Sequence, residues 1–192
     1  MKHLILPFFL MFSLCIFAQE DEIVKIRERY KLINEMEEYD LMSHVVNLNY
    51  MLPAVGLKTK TLTFYYQGEQ ANPEEDPYDF NYTLAKAVIT WNVSASNTYT
   101  TEYLFNEYEQ LIFCFDKGEG MFDNHENRFY FKDLKLIKCI IKSTNEDGTE
   151  IDYTKSNGFG KQDLSSADHA KANAAKYLKT FKDLNNLNET GE

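Results

Sequence analysis

No apolar run in these 192 residues is long enough to cross a bilayer as a helix, which takes about 20 apolar side chains. The longest, Leu4 to Ala18, is shorter and is interrupted by Pro7. Cysteine is scarce: Cys15, Cys114 and Cys139 are the only three. Basic residues are outnumbered, with 20 Lys and Arg against 30 Asp and Glu, for a net charge of −10. A surface of that sign repels phosphate backbones and anionic headgroups. Nucleic acid and peripheral membrane binding are therefore not expected.

Signatures that carry chemistry are missing as well. Zinc proteases place two histidines at i and i+4 on a helix with a Glu between them. Here Asp123-Asn124-His125-Glu126 is followed by Asn127, Arg128 and Phe129, so the second histidine is absent. Gly158-Phe159-Gly160-Lys161 is followed by Gln162, where a phosphate loop requires Ser or Thr. There is no GxSxG nucleophile elbow. Asn145, Asp147 and Gly148 match part of a calcium loop, but Ser143 and Thr154 stand where its strongest oxygen ligands belong. Asp147-Gly148 between two β runs reads as a hairpin turn. No metal and no cofactor is expected.

What is present begins with a leader. MKHLILPFFLMFSLCIFA has a Lys, an apolar stretch and a small residue at Ala18, the three-part form of a secretory signal peptide cleaved before Gln19. A rival reading makes Cys15 the lipid-bearing residue of a lipoprotein, with Leu14 where that processing prefers a small side chain. Either way the expected location is the periplasm or beyond, and the chain is not expected to span the membrane. The division that follows is 1–18 leader, 19–184 a single domain, and 185–192 a disordered tail.

Residues 20–40 place Ile23, Ile26, Tyr30, Ile33 and Met36 at steps of three and four, an amphipathic helix. The period then becomes two. HVVNLNYML, LKTKTLTFYYQG, YTLAKAVITWNVSA, NTYTTEYLF, QLIFCF, RFYFK, LKLIKCIIK and TEIDYT read as strands separated by short turns. Turns are expected at PAVG, near Ser96-Asn97, at Asn106-Glu107, within 116–127, at Lys132-Asp133 and at Glu146-Asp147-Gly148. GEQANPEEDPYD, with two prolines and five acids, is expected to be an exposed loop. YLFNEYEQLIF and FYFKDLKLIK echo each other, an aromatic triplet before a turn and Leu-Ile after it, which points to successive hairpins. Ala167, Ala170, Ala174, Tyr177, Leu178, Phe181 and Leu184 restore helical spacing. The sum is α+β: an N-terminal helix, an antiparallel meander of seven or eight strands forming one curved sheet, and a C-terminal helix packed on it. With one strand between theirs, Cys114 and Cys139 lie about 9.6 Å apart, beyond disulfide reach, and are expected as buried free thiols.

Aromatic residues are the remaining signal. Phe64, Tyr65 and Tyr66, and likewise Tyr103, Leu104 and Phe105, put large side chains on both faces of their strands. A sheet with one wet face alternates more cleanly. Either something covers the second face, or the sheet curls, or it offers an aromatic contact surface. On the last reading the function is that of an exported, non-enzymatic binding domain using Tyr65, Trp91, Tyr99, Tyr103 and Tyr130 on the face away from the helices. The partner would be an envelope protein, a glycan or an apolar small molecule, with basic or neutral chemistry favoured by the overall charge. Two alternatives stay open: a small envelope hydrolase using Glu102, Glu107 or Asp123 near His125, and a carrier whose curled sheet encloses a lipid.

LPAVGLKTKTLTFYY, EYLFNEYEQLIFCF and ENRFYFKDLKLIK, following an IRERY helix, resemble segments of small secreted proteins common in Bacteroidetes. The resemblance implies export and a single domain. It implies no activity and no functional residues.

Overall fold

A computed structural model describes residues 5–36, 40–53, 56–72, 74, 76–93, 97–120, 124–144 and 147–189. Residues 1–4 of the leader, Asp123, the turn positions Ser96 and Glu146, and residues 190–192 lie outside the described residues. The chain divides into two compact units, Met1–Glu35 and Met36–Glu192.

The first unit is helix α1, Ile5–Glu35, which runs without interruption past Ala18-Gln19. Ile23, Ile26 and Ile33 are buried while Val24 and Leu32 are exposed, as the three-four spacing predicts.

The second unit contains eight strands: β1 Met42–Leu52, β2 Gly56–Asn72, β3 Asp76–Val93, β4 Asn97–Phe105, β5 Leu111–Glu119, β6 Asn124–Lys132, β7 Lys135–Thr144 and β8 Glu150–Lys155. They form one antiparallel sheet in sequence order, a simple meander with β1 and β8 at the edges. The sheet is curved but not closed. Helix α2, Lys161–Glu189, packs on one face.

Two boundaries differ from expectation. The acidic segment 68–79 is mostly strand: Gly68 pairs with Tyr82, Glu69 with Asn81 and Gln70 with Phe80, extending the β2–β3 hairpin. Charged residues tolerate a solvated strand as well as a loop once the backbone groups are paired. At the other end α2 continues past Leu184 to Glu189, and Asn185 is buried and hydrogen-bonded to His44 at 2.9 Å. Residues 185–189 are therefore helix rather than tail.

The core lies between α2 and the sheet. Leu62, Phe64 and Tyr66 from β2, Ala87 and Ile89 from β3, Tyr103 and Phe105 from β4, and Phe129 and Phe131 from β6 meet Ala167, Ala170, Ala174, Tyr177 and Phe181. The three alanines let the helix approach closely. Polar clamps hold both helix ends. At the start, Asp163 accepts hydrogen bonds from Tyr153 Oη, Lys155 Nζ and the Gly160 N–H, each at 2.7 Å. Near the end, Lys182 pairs with Glu109 and Asn185 with His44. Because β8 holds one end and β1 the other, the helix crosses the sheet diagonally.

The aromatic triplets have a geometric explanation. The ladder slips by one residue at Tyr65/Tyr66, Leu104/Phe105 and Tyr130/Phe131, leaving Ala85, Ile112 and Ile137 as the extra residues. Tyr65, Lys86, Leu104, Phe113, Tyr130 and Lys138 face one another along a single line across six strands, so the three bulges lie in register. Bulges bend strands and raise their twist. Both faces are buried at this line: Leu104, Phe113 and Tyr130 on one, Phe105, Leu111 and Phe131 on the other. The sequence echo is thus a repeated bulged hairpin.

Candidate functional site

Because α2 runs diagonally, one corner of the sheet face is not covered by its apolar stripe. A cavity of about 700 Å³ opens there, between the ends of β2–β6 and one flank of the helix. Its floor is sheet: Trp91, Tyr99, Tyr103, Asp116, His125 and Asn127. Its roof is the helix flank carrying Ser165, Ser166, His169, Asn173 and Lys176, where steps of three and four from Ser166 onward keep the side chains on one side. This size is typical of a small-molecule site.

The aromatic wall is ordered. Trp91 and Tyr99 are cross-strand partners whose rings stack at 5.2 Å and 14°. Lys60 Nζ lies 6.0 Å from the Trp91 ring centre and 5.3 Å from that of Tyr177, and donates to Tyr177 Oη at 2.9 Å. An ammonium held against two rings is a cation–π arrangement. Tyr103 packs against Tyr177 at 5.6 Å, and burial pushes its hydroxyl well above the ordinary tyrosine value.

The polar floor centres on Asp116. Its Oδ1 accepts from Thr101 Oγ1 at 2.8 Å and its Oδ2 lies 3.0 Å from His125 Nε2. Gly118 sits between Tyr99 and His125 in the ladder. A Cβ at that position would stand 2.5 Å from the imidazole and 3.1 Å from the Tyr99 ring, so only glycine lets both side chains close over the strand. Among the described residues, Asn127 Oδ1 is the one buried side-chain polar atom without a hydrogen-bond partner. Cys114 lies beneath, its thiol pushed well above the usual value by burial, which keeps it protonated and unreactive at neutral pH. Cys114 and Cys139 are both free and buried, on strands separated by β6.

The five expected contact residues divide between the faces. Trp91, Tyr99 and Tyr103 line the cavity, on the α2 side rather than away from it. Tyr103 is also core, at 3% exposure. Tyr65 and Tyr130 lie on the opposite face, Tyr130 buried against Phe113 at 5.0 Å and Tyr65 with Lys86 Nζ 5.0 Å from its ring. Of the carboxylates expected near His125, the two among the described residues are not brought to it. Glu102 sits on the opposite face from His125, 3.7 Å from Lys86, and Glu107 is exposed in the β4–β5 turn.

Asp116, Asn127 and the polar flank of α2 escaped the sequence reading. Their signal was parity: Asp116 follows Cys114 by two, and Ser166, His169, Asn173 and Lys176 repeat at helical steps beside the alanine stripe. Among the described residues no cluster of His, Cys, Asp and Glu is arranged to hold a metal ion, and no helix is long and apolar enough to cross a membrane. Comparison with protein-family models, with curated proteins and with solved structures finds no match to this chain.

Proposed function

We propose that this protein is an exported binding domain that takes a small organic ligand into the cavity between α2 and the sheet. The observation that carries the reading is the stacked, partly exposed Trp91–Tyr99 pair in the wall of a recess of about 700 Å³, with Asn127 Oδ1 left unpaired on the same floor. A non-catalytic role is favoured because the ionisable groups there are engaged: both oxygens of Asp116 have partners, and Cys114 is held as a thiol. Export rests on the leader and on the resemblance to secreted proteins.

Trp91 is the only tryptophan in the chain, so it reports directly on the cavity. A panel of small ring compounds and sugars, titrated against its emission, should contain members that quench or shift it saturably. Absence of any response across the panel, with the protein folded by circular dichroism, refutes the reading. Export is tested by expression in a Gram-negative host, where the periplasmic product should begin at Gln19.

The Asp116–His125 pair favours a second reading, a small hydrolase, since a carboxylate that orients an imidazole is half of a general-base arrangement. Measurable turnover of a phenyl ester, abolished by His125→Ala, would support it over simple binding.

A further inference from the structure

Resting on the cavity reading above, we infer that the ligand is an anion: a flat-ringed organic molecule bearing a carboxylate-like or phosphate-like head. The overall charge points the other way, toward basic partners. The cavity reverses it. Three lysines line the recess, Lys58, Lys60 and Lys176, against the single carboxylate of Asp116. Among the described residues none of the three lysines has a carboxylate within 4 Å, whereas Lys155, Lys171, Lys179 and Lys182 each have one. In a chain with ten more acids than bases, three unneutralised ammonium groups around one recess create a local field that concentrates anions. Asp116 offsets one of the three charges, which leaves the lining net positive.

The placement of the lysines also fits a two-part ligand. Lys60 Nζ stands 6.0 Å from the Trp91 ring centre, so a ring lying on Trp91 brings its head group within reach of that ammonium. Lys58 comes from the same strand and Lys176 from the helix roof, so the charges surround the mouth from two elements. Asn127 lies deeper on the floor, and its carboxamide can meet a polar substituent of the ring.

Two probes with the same rings and different charge test this: 8-anilino-1-naphthalenesulfonate, and N-phenyl-1-naphthylamine, which lacks the sulfonate. Quenching of Trp91 gives the affinity of each at low salt. The sulfonate is expected to bind at least tenfold more tightly. That gap should shrink to within about threefold in Lys58→Gln/Lys60→Gln/Lys176→Gln, and in 0.5 M salt, where the Debye length falls to a few ångströms. Ser166→Phe, at an exposed helix position on the cavity rim, should weaken both probes equally by obstructing the recess. Equal wild-type affinity for the two probes, or a gap that survives removal of the lysines, overturns the anion preference and leaves the cavity reading standing. No quenching by either probe, or quenching that Ser166→Phe does not alter, overturns the cavity reading and the preference with it. Circular dichroism of each variant confirms that it is folded.

Discussion

Asp163→Ala tests how firmly the roof of the cavity is attached. The carboxylate is almost wholly buried, with 2% of its side chain exposed, and accepts three hydrogen bonds of 2.7 Å. Hydrogen bonds to a charged group contribute about 1.5–3 kcal/mol each. The three are not worth their full sum, because Lys155 is 36% exposed and regains water when released. The expected loss is about 2–4 kcal/mol, a fall in Tm of roughly 5–15 °C for a domain of this size. Asp163→Asn keeps the shape and removes the charge, so its loss should be smaller. The pH dependence separates the two contributions. Burial alone would raise the Asp163 carboxyl, but hydrogen bonds from Lys155, Tyr153 and the Gly160 N–H outweigh it and hold the value below the ordinary one. A group depressed in the folded state contributes stability above its unfolded value, near 4, and loses it as pH falls through the folded value. The gap between wild type and Asp163→Asn should therefore be full at pH 7 and close on acidification. Thermal unfolding followed by far-ultraviolet circular dichroism measures both. An Asp163→Ala variant melting within about 3 °C of wild type at pH 7 refutes the stability reasoning. A gap to Asp163→Asn that stays constant into acid refutes the electrostatic part.

Other expectations are simpler. Leu134 occupies a left-handed conformation, φ 59°, in the β6–β7 turn, so Leu134→Gly should raise stability by about 1 kcal/mol in denaturant titrations, since the side chain is already half exposed. Tyr103→Ala should cost about 3–5 kcal/mol because the ring is core, whereas Tyr99→Ala, at the partly exposed wall, should cost less and weaken ligand binding more. Alkylation of the native protein without reductant should leave Cys114 and Cys139 unmodified, and unfolding should expose both thiols; one disulfide found by mass spectrometry would contradict the strand order.

The strands and the meander were readable because each apolar run keeps a period of two and each gap carries Pro, Gly, Asn or Asp. The bulges were not, because Ala85, Ile112 and Ile137 look like ordinary strand residues and only the partner strand reveals the slip. The same holds for the acidic hairpin arm, where pairing rather than composition decides the conformation. For the cavity, Trp91 and Tyr99 were visible as an alternating row, but their cover was not. That depended on the diagonal path of α2, which is set by a carboxylate at one end and an amide at the other, Asp163 and Asn185. Lys58, Lys60 and Lys176 are dispersed in sequence and become a charge cluster only when helix and sheet are stacked.

The three aligned bulges work as a crease. Each of β3, β5 and β7 carries one residue more than the strand before it at that level, and the surplus bends the strand while the residues on either side of it stay paired with consecutive partners. Loss of Ala85, Ile112 or Ile137 would join those flanking residues into an unbroken ladder, leaving each side chain on its present face and removing the local bend and added twist. A single deletion there consequently acts on the curvature of the sheet and leaves its register intact.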